Sequence, residues 1–338
     1  MTQATPKKKQ MNLGDFLMKL GPLLALFLLF GSFAFTMPDK FLRIGNLMNI
    51  LKQTSINCMI AAGMLIVLIT AGIDLSVGSN TVLATCTIGV LMQNFGVTSP
   101  LILIPAALLV PTAMGFVNGT LLTRLDLPHP FVSTLGMKNV LLGLALFITN
   151  STSIGFTNKG IDSTLFLGSA TLPGGFPVSF LLVIVAYGIF HVFLNNTSLG
   201  RQIYCVGGNA EAAHLSGIRS KSVLTTVYML SGFMCGIAGV LLAGRVSTAN
   251  PNAGGNFDTD AIAACIIGGA SFRGGKGTIW GTLIGALLIG IIRNGLNLLG
   301  TKNDIQFIVI GAVIIAAVTI DVARNKLEAR ARKMAAIQ

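Results

Sequence analysis

Long apolar runs recur along the whole chain and limit what it can fold into. A helix that crosses a membrane needs about 20 apolar residues. Only 10% of the 338 residues are charged and 53% are hydrophobic, whereas roughly 25% of the residues in a soluble domain are charged. The sequence therefore predicts an all-α polytopic membrane protein with about ten transmembrane helices. The predicted spans are 20–36, 49–71, 77–94, 100–122, 130–149, 178–195, 223–243, 258–270, 278–296 and 305–321.

Lysine and arginine are distributed unequally between the segments that connect these spans. Ten spans put both termini on one side, and that side carries most of the basic residues: Lys7, Lys8, Lys9, Lys19, Arg124, Arg201, Arg219, Lys221, Arg273, Lys276, Arg324, Lys326, Arg330, Arg332 and Lys333. The other side carries Lys40, Arg43, Lys159, Arg245 and Lys302. The positive-inside rule therefore predicts that both termini are cytoplasmic. This bias explains the net charge of +12 without a nucleic-acid partner.

The predicted organisation has a cytoplasmic tail at 1–19, a transmembrane domain at 20–323 and a basic cytoplasmic tail at 324–338. The eighth span, at 258–270, is short, which favours a broken or re-entrant element. Two basic residues fall inside spans, Lys138 and Arg293. We expect both to snorkel to an interface, because a long side chain can carry its charge out of the apolar region.

Motifs for covalent chemistry are sparse. The five cysteines lack a C-x-x-C spacing and are expected to act as small buried hydrophobes. No histidine pair has metal-ligand spacing, and the Gly-rich run at 268–277 lacks the Ser or Thr of a phosphate-binding loop. We therefore predict no metal site, no bound cofactor and no enzymatic activity. Any energy source must be an ion gradient or another subunit.

A short helix is predicted at 209–218, in the long inside loop 196–222. Asn209 can cap its first turn, because the side-chain oxygen can accept a free backbone N–H. Glu211 places a negative charge at the positive end of the helix dipole, and Gly217 can adopt the left-handed conformation that ends a helix. A helix of this length is not stable alone in water. We therefore predict that another protein docks on it.

Two Gly-rich joints follow the second and eighth spans. The segments 71–78 and 268–275 form a weak internal repeat at an offset of 197, as in transporters with duplicated halves. The predicted hinge residues are Gly72, Asp74, Gly78, Gly269 and Gly275. Asp74 is either a coupling element or an N-cap of the next helix, and the two roles are compatible. A proton relay is disfavoured, since we expect no second carboxylate within the membrane.

Amide side chains inside spans are the candidates for a hydrophilic path. Asn57, Asn80 and Asn139 are predicted to line it. Hydrogen bonding between helices is the alternative, and it is at least as common for such residues.

The short helix carries the resemblance to a known family. Glu211-Ala212-Ala213, followed after three residues by Gly217, resembles the cytoplasmic loop of binding-protein-dependent ABC importer permeases. The chain is similar to ribose-type sugar permeases in further segments. These are Gly200-Arg201, Tyr204, Gly207-Gly208-Asn209, Leu215-Ser216-Gly217-Ile218, Gly72–Gly78, Gly281–Leu287 and Asn294–Gly300. The resemblance covers about residues 45–320.

This resemblance implies a multi-pass subunit of the bacterial inner membrane that imports a monosaccharide by alternating access. Ribose, allose, galactose and xylose are candidates, and nucleosides, inositol or autoinducer-2 are alternatives. The implied partners are an ATP-binding subunit that holds ATP and Mg, a periplasmic sugar-binding protein, membrane lipid, and a second permease that is identical or a paralogue. The implied ATPase-coupling residues are Arg201, Asn209, Glu211, Ala212, Ala213, Ser216 and Gly217.

Two other classes remain as alternatives. A secondary ion-coupled sugar transporter would require buried carboxylates in the spans, in which we expect this chain to be poor. A membrane enzyme acting on lipids would require His, Asp or Ser groups that converge near one face, and none is evident in the sequence.

Overall fold

The structure is a computed structural model that describes residues 13–125, 127 and 129–335, with side chains for 21–125, 127, 129–302, 304–319 and 322. Within these residues the chain is almost entirely helical. In chain order the elements are α1 (Leu13–Thr36), α2 (Pro38–Phe41), α3 (Ile44–Ile69), α4 (Val77–Phe95), α5 (Pro100–Arg124), α6 (Pro130–Ile148), β1 (Ile154–Gly155), α7 (Asp162–Ser169), α8 (Val178–Asn196), α9 (Ser198–Gly208), α10 (Ala210–Leu215), α11 (Ser220–Val246), β2 (Thr248–Ala249), α12 (Phe257–Ile267), α13 (Ile279–Leu298) and α14 (Asn303–Ala335).

Six of these helices are long and apolar enough to cross a membrane: α3, α5, α6, α8, α11 and α13. The prediction of an all-α polytopic membrane protein is thereby confirmed. Each of the other four predicted spans also coincides with a helix, namely α1, α4, α12 and α14. Residues 1–12 and 336–338 of the predicted tails lie outside the described residues. The helix α14 continues through 324–335, so the basic tail begins inside a helix.

Residues with special backbone geometry set several helix limits. Pro100 and Pro130 occupy the first turns of α5 and α6, where proline costs no hydrogen bond. Gly96 ends α4 with a φ of +65°, in the left-handed region that glycine adopts without steric cost. Thr278 caps α13 by accepting the backbone N–H of Gly281 at 3.2 Å.

Helices α3 and α11 form the centre of the bundle. Their apolar windows are 83% and 78% buried, against 22–28% for α5, α6 and α8. Glycines allow the backbones to approach closely, as in other membrane helix pairs. A Cβ atom on Gly119 of α5, for example, would lie 2.9 Å from the Cα atom of Thr225 in α11. Large exposed side chains such as Phe35, Leu101 and Phe147 form the apolar exterior.

Helix α12 spans only part of the bundle. Its 11 residues extend about 16 Å at 1.5 Å per residue, which is about half of the ~30 Å hydrocarbon core. The loop before it is tied down by the antiparallel pair β1–β2, with Ile154 opposite Ala249. The same loop touches the first turn of α4, since a Cβ atom on Gly78 would lie 2.5 Å from the carbonyl oxygen of Gly254. The start of α12 therefore lies beside the start of α4 inside the protein.

Candidate functional site

The helix α10 has the ends that its sequence predicts. The Oδ1 atom of Asn209 accepts the backbone N–H of Ala212 at 2.9 Å. At the other end Gly217 has a φ of +83°. The N–H of Ile218 donates to Ala213 O at 3.0 Å, and the N–H of Gly217 donates to His214 O at 2.9 Å. This pair of bonds is the Schellman motif, which satisfies the last carbonyls of a helix.

Almost the whole surface of α10 is uncovered. Ala213 is its one buried residue, and the side chain of Leu215 is 82% exposed. Of the predicted coupling residues, Arg201, Asn209, Glu211, Ala212, Ser216 and Gly217 are exposed. A groove of ≈ 280 Å³ runs beside the helix, lined by Leu199, Gln202, Gly217, Arg219, Ser222, Val223 and Thr226. A short exposed helix next to an open groove is a surface that a partner protein can cover.

The end of α9, which carries α10, rests on both Gly-rich joints. The backbone of Gly207 is in such close contact with Ile69 O, at the end of α3, that no side chain fits between them. The N–H of Gly275 donates to the same Ile69 O at 2.8 Å. The hydroxyl of Tyr204 donates to Gly277 O at 2.8 Å, and burial raises the pKa of Tyr204, so this donor stays protonated at neutral pH. We call this three-way contact the joint platform.

The two joints begin with the same backbone motif. Two residues after the end of α3, Ala71 has a φ of +60°, and the N–H of Gly72 donates to Val67 O. Two residues after the end of α12, Gly269 has a φ of +91°, and the N–H of Ala270 donates to Cys265 O. The equivalent residues are therefore Ala71 and Gly269, so the offset of the repeat is 198, and the predicted value of 197 is wrong by one residue.

The predicted hinge glycines differ in their surroundings. A Cβ atom on Gly72 would lie 2.9 Å from the hydroxyl oxygen of Tyr228, and Gly78 is in contact with Gly254. Gly269 has open space where its Cβ atom would be, and Gly275 has a φ of +68°. The first joint thus requires glycine for close packing and the second for its backbone conformation. Their movement as hinges stays a prediction.

Asp74 lies buried in the first joint, with 3% of its surface exposed. One carboxylate oxygen accepts the N–H of Ser76 at 3.0 Å and its hydroxyl at 2.5 Å, and the other accepts the hydroxyl of Ser231 at 3.3 Å. These contacts close a turn directly before α4 and tie it to α11. They account for a buried carboxylate by a local side-chain turn, in which Ser76 rather than Asp74 is the N-cap residue of α4, and the coupling role of Asp74 stays a prediction.

Two further carboxylates lie in the first turn of α12, and the expectation of no second carboxylate within the membrane was wrong. Asp258 and Asp260 are each 2% exposed. Lys138 donates to Asp258 at 2.6 Å, and Arg293 donates two bonds of 2.7 Å to Asp260. Lys138 and Arg293 therefore do not snorkel. The positive end of the α12 dipole and the two cations together stabilise the buried charges.

These ion pairs had a signal in the sequence. Two aspartates open the predicted span 258–270, and two cations, Lys138 and Arg293, fall inside other spans. Charges inside a membrane protein are usually paired, so balancing them would have predicted the contacts. The partners of each aspartate were not predictable from spacing, because Lys138 and Asp258 are 120 residues apart.

A polar cavity of ≈ 170 Å³ lies beside Asp260, between α3, α11, α12 and α13. It is lined by Gln53, Ile56, Asn57, Arg245, Ala253, Asn256, Phe257, Asp260 and Arg293. Asn57 donates to Asp260 at 3.2 Å, while its Oδ1 atom is buried without a hydrogen-bond partner. Arg245 donates to the Oε1 atom of Gln53 at 3.2 Å. Of the predicted path residues, this cavity contains only Asn57.

The other two predicted path residues lie elsewhere. Asn80 is buried and donates to Pro111 O at 3.0 Å, which ties α4 to α5. Asn139 is exposed on α6. The three asparagines thus do not line a common cavity within the part of the chain that the structure describes. In those same residues no group of three or more His, Cys, Asp or Glu side chains could hold a metal ion.

Comparison with known proteins decides the class of this molecule. Residues 46–318 match the profile of a family described as "Branched-chain amino acid transport system / permease component". The chain belongs to this permease family. The permease is 38% identical to the ribose import permease protein RbsC of Escherichia coli, over 95% of this chain and 99% of that protein. No solved structure matches it significantly.

Other relatives of this permease are named for different sugars. It is 37% identical to the D-allose transport system permease protein AlsC of Escherichia coli, over 93% of this chain and 95% of that one. It is 35% identical to the fructose import permease protein FrcC of Rhizobium meliloti, over 89% and 84% of the two chains. Membership makes the permease a multi-pass inner-membrane component of a transport system and not itself a catalytic enzyme.

Proposed function

We propose that this permease imports a monosaccharide and that α10 receives the movement of an ATP-binding partner. The observation that carries the proposal is the joint platform, in which the base of the exposed helix α10 touches both Gly-rich joints at once. The names of the relatives support a sugar as the substrate. The coupling residues are Arg201, Asn209, Glu211, Ala212, Ala213, Ser216 and Gly217.

The proposed orientation follows from the basic residues. Ten spans with both termini in the cytoplasm place the joint platform and α10 on the cytoplasmic side. An ATP-binding subunit, which holds ATP and Mg, docks on α10 and the groove beside it. A periplasmic sugar-binding protein delivers the sugar to the opposite side of the membrane. A second permease subunit completes the path.

The proposed mechanism is alternating access without covalent chemistry in this chain. Closure of the ATP-binding partners pushes α10, and α9 passes the displacement to Ile69 and Gly275. The joints at 70–76 and 268–278 then change the relative positions of α3, α4, α12 and α13. A transporter can shift between two such states only if its ligands bind them with different affinity. ATP binding by the partner supplies that difference here.

A secondary ion-coupled transporter is disfavoured by a different argument from the one based on sequence. Carboxylates are present in the interior, but Lys138 and Arg293 pair two of them. The third, Asp74, accepts hydrogen bonds from Ser76 and Ser231. A carboxylate that cycles through protonation during transport would be expected to have no fixed cationic partner, which disfavours Asp258 and Asp260 in that role but does not apply to Asp74.

Charge reversal on α10 tests the proposal. We expect Glu211→Lys to abolish sugar uptake by cells while the amount of permease in the membrane stays normal, because α10 loses its charge complementarity to the partner and to its own dipole. Gly217→Asp is expected to act in the same direction, since Asp is strained at a φ of +83°. Asp39→Lys in the first turn of the short helix α2 is the matched control and should transport normally.

Co-purification separates the coupling role from sugar transport. The tagged permease, extracted from its membrane in mild detergent, should carry a stoichiometric subunit with nucleotide-binding motifs. Glu211→Lys should lose it and Asp39→Lys should retain it. Normal sugar uptake by Glu211→Lys would contradict the assignment of α10 as the coupling helix. Recovery of the permease alone after crosslinking would instead favour the secondary transporter.

A further inference from the structure

Among the described residues, the cavity beside Asp260 has more polar side chains in its lining than the packing of helices requires. Its polar lining consists of two asparagines, one glutamine, two arginines and one aspartate. Burying this many polar groups is costly unless each finds a partner. Within the described protein the pairing is incomplete, because the Oδ1 atom of Asn57 is buried without a donor. Since Asn57 lines the cavity, a donor on a ligand held there would satisfy this oxygen once the side chain rotates toward it.

The cavity also holds donors with spare capacity. Arg245 has five N–H groups, and one of them donates to Gln53. Asn256 precedes α12 without capping it, so its side chain is not used by the helix. Free donors and a free acceptor around one space match a ligand whose groups both donate and accept. A hydroxyl does both, whereas a carboxylate or an ammonium group does only one.

Charge and size narrow the ligand further. The charges of Asp260 and Arg293 offset each other through two 2.7 Å bonds. Arg245 adds one positive charge, with the neutral Gln53 as its contact, while Asn57 Oδ1 and Asp260 are acceptors, so the lining as a whole matches hydroxyl groups, which both donate and accept. A cavity of ≈ 170 Å³ is smaller than the roughly 300–1,000 Å³ of sites for drug-sized ligands. One wall is the aromatic ring of Phe257, a flat apolar surface that suits the C–H face of a pyranose or furanose ring.

The position of the cavity fits a resting place along a path. Asn57 lies halfway along α3, about 20 Å from the joint at 70–76 by helical rise. Asp260 is in the first turn of α12, which begins inside the protein. Broken helices that start inside a membrane protein commonly border substrate sites in transporters. The cavity also touches α12 and α13, which meet at the second joint and would move with it.

We propose that this cavity is a subsite for a neutral monosaccharide, in which a sugar hydroxyl donates to Asn57 and others accept from Arg245 and Asn256. The assignment rests on the proposed sugar transport, since it names where the transported sugar pauses. Asp260 and Arg293 act as positioning residues that hold Asn57 and shape the wall. Phe257 packs against the ring of the sugar.

Protection from alkylation tests the subsite directly. Ala253→Cys places a thiol in the lining, and Asn252→Cys places one in the same loop outside it. Both are made with Cys205→Ser, which removes the exposed native thiol. The detergent-solubilised importer is alkylated with N-ethylmaleimide in the presence and absence of millimolar D-ribose, D-allose, D-fructose or D-galactose. We expect at least one sugar to slow labelling at 253 severalfold and to leave labelling at 252 unchanged.

A second variant pair shows whether Asn57 binds the sugar. Asn57→Leu removes the acceptor while Arg293 keeps its two bonds to Asp260. Asn118→Leu is the control, since Asn118 on α5 is also buried with unpartnered side-chain atoms but does not line the cavity. The sugar concentration that halves labelling at 253 should rise about three- to tenfold in Asn57→Leu, as expected for one lost hydrogen bond. It should not change in Asn118→Leu.

The outcomes separate the subsite from the transport function. Uptake of a sugar by cells without protection at 253 by that sugar overturns the subsite alone. Protection at 253 without uptake of any of the four sugars supports the subsite and counts against the proposed import. Protection by D-glucuronate, with none by the neutral sugars, overturns the assignment of a neutral ligand. If the sugar concentration that halves labelling at 253 rises equally in Asn57→Leu and in Asn118→Leu, the role of Asn57 in binding is overturned.

Discussion

At the residue scale, buried charges are the feature that most shapes this permease. Asp258 and Asp260 are two residues apart in α12 and therefore point in different directions from the helix axis. Each is neutralised by a cation from a different helix, Lys138 of α6 and Arg293 of α13. The two pairs thus link α12 to helices on both sides of it. A buried pair gives little net stability, but removal of one partner is costly because it leaves an unpaired charge.

The Lys138–Asp258 pair gives a stability prediction at this scale. Lys138→Met leaves Asp258 buried with no cation, and Asp258 already has one oxygen without a partner. We expect the free energy of unfolding to fall by about 3 kcal/mol. The double variant Lys138→Met/Asp258→Asn, which removes both charges, should recover most of that loss. Unfolding in a detergent titration measures both, and a double variant no more stable than the single one would contradict the ion-pair interpretation.

At the element scale, α9 is the part that connects the exposed helix to the bundle. Its last residues, Gly207 and Gly208, lie against the ends of α3 and of the second joint. The contact between Gly207 and Ile69 is backbone to backbone, so it leaves no room for a side chain. A connection of this kind transmits displacement because neither surface can yield without moving its helix.

Two neighbouring glycines in α9 allow a matched test of this connection. Gly207→Ala would place a Cβ atom on the carbonyl of Ile69, whereas Gly208→Ala meets nothing within 4 Å. We expect Gly207→Ala to lower the thermal unfolding temperature and to reduce uptake, because α9 must lift away from α3. Gly208→Ala should resemble the original chain in both assays. Thermal unfolding in detergent and uptake by cells are measured side by side, and equal behaviour of the two variants would argue against the joint platform.

At the scale of the whole molecule, the middle of α6 carries an exposed amide on the largely apolar exterior of the described bundle. Asn139 is exposed there, halfway along a 19-residue helix. Gly136 and Gly143, on the same side of the helix, have open space where their Cβ atoms would lie. An exposed amide is costly against lipid tails, and small residues favour close helix contact. A second permease with the same face could pair its own amide with this one, since an amide both donates and accepts.

Crosslinking tests whether this face meets a second copy. In the Cys205→Ser background, Asn139→Cys is expected to give a disulfide-linked dimer when membranes are oxidised, because a two-fold axis brings equal residues together. Val185→Cys, exposed on the apolar face of α8, is the control and should stay monomeric. A dimer of Val185→Cys with none of Asn139→Cys would place the interface on α8 instead.

Much of the candidate site could be predicted from the sequence where the signals are local. Asn209 and Gly217 lie eight residues apart, and capping depends only on neighbouring backbone groups, so the limits of α10 are confirmed. The shortness of α12 was also visible, because span length is set by the number of apolar residues. The predicted register of the repeat differs by one residue from the register set by the backbone bonds that follow α3 and α12.

The sequence by itself determined a helical membrane protein, the approximate positions of its long helices and the capped helix α10. These depend on apolar run length and on caps, which act over a few residues. Only the tertiary structure decided which cation faces which aspartate, that α9 rests on both joints, and that Asn57 rather than Asn80 or Asn139 borders the polar cavity. Such contacts join residues up to 203 positions apart, and only helix packing brings residues that distant in sequence together.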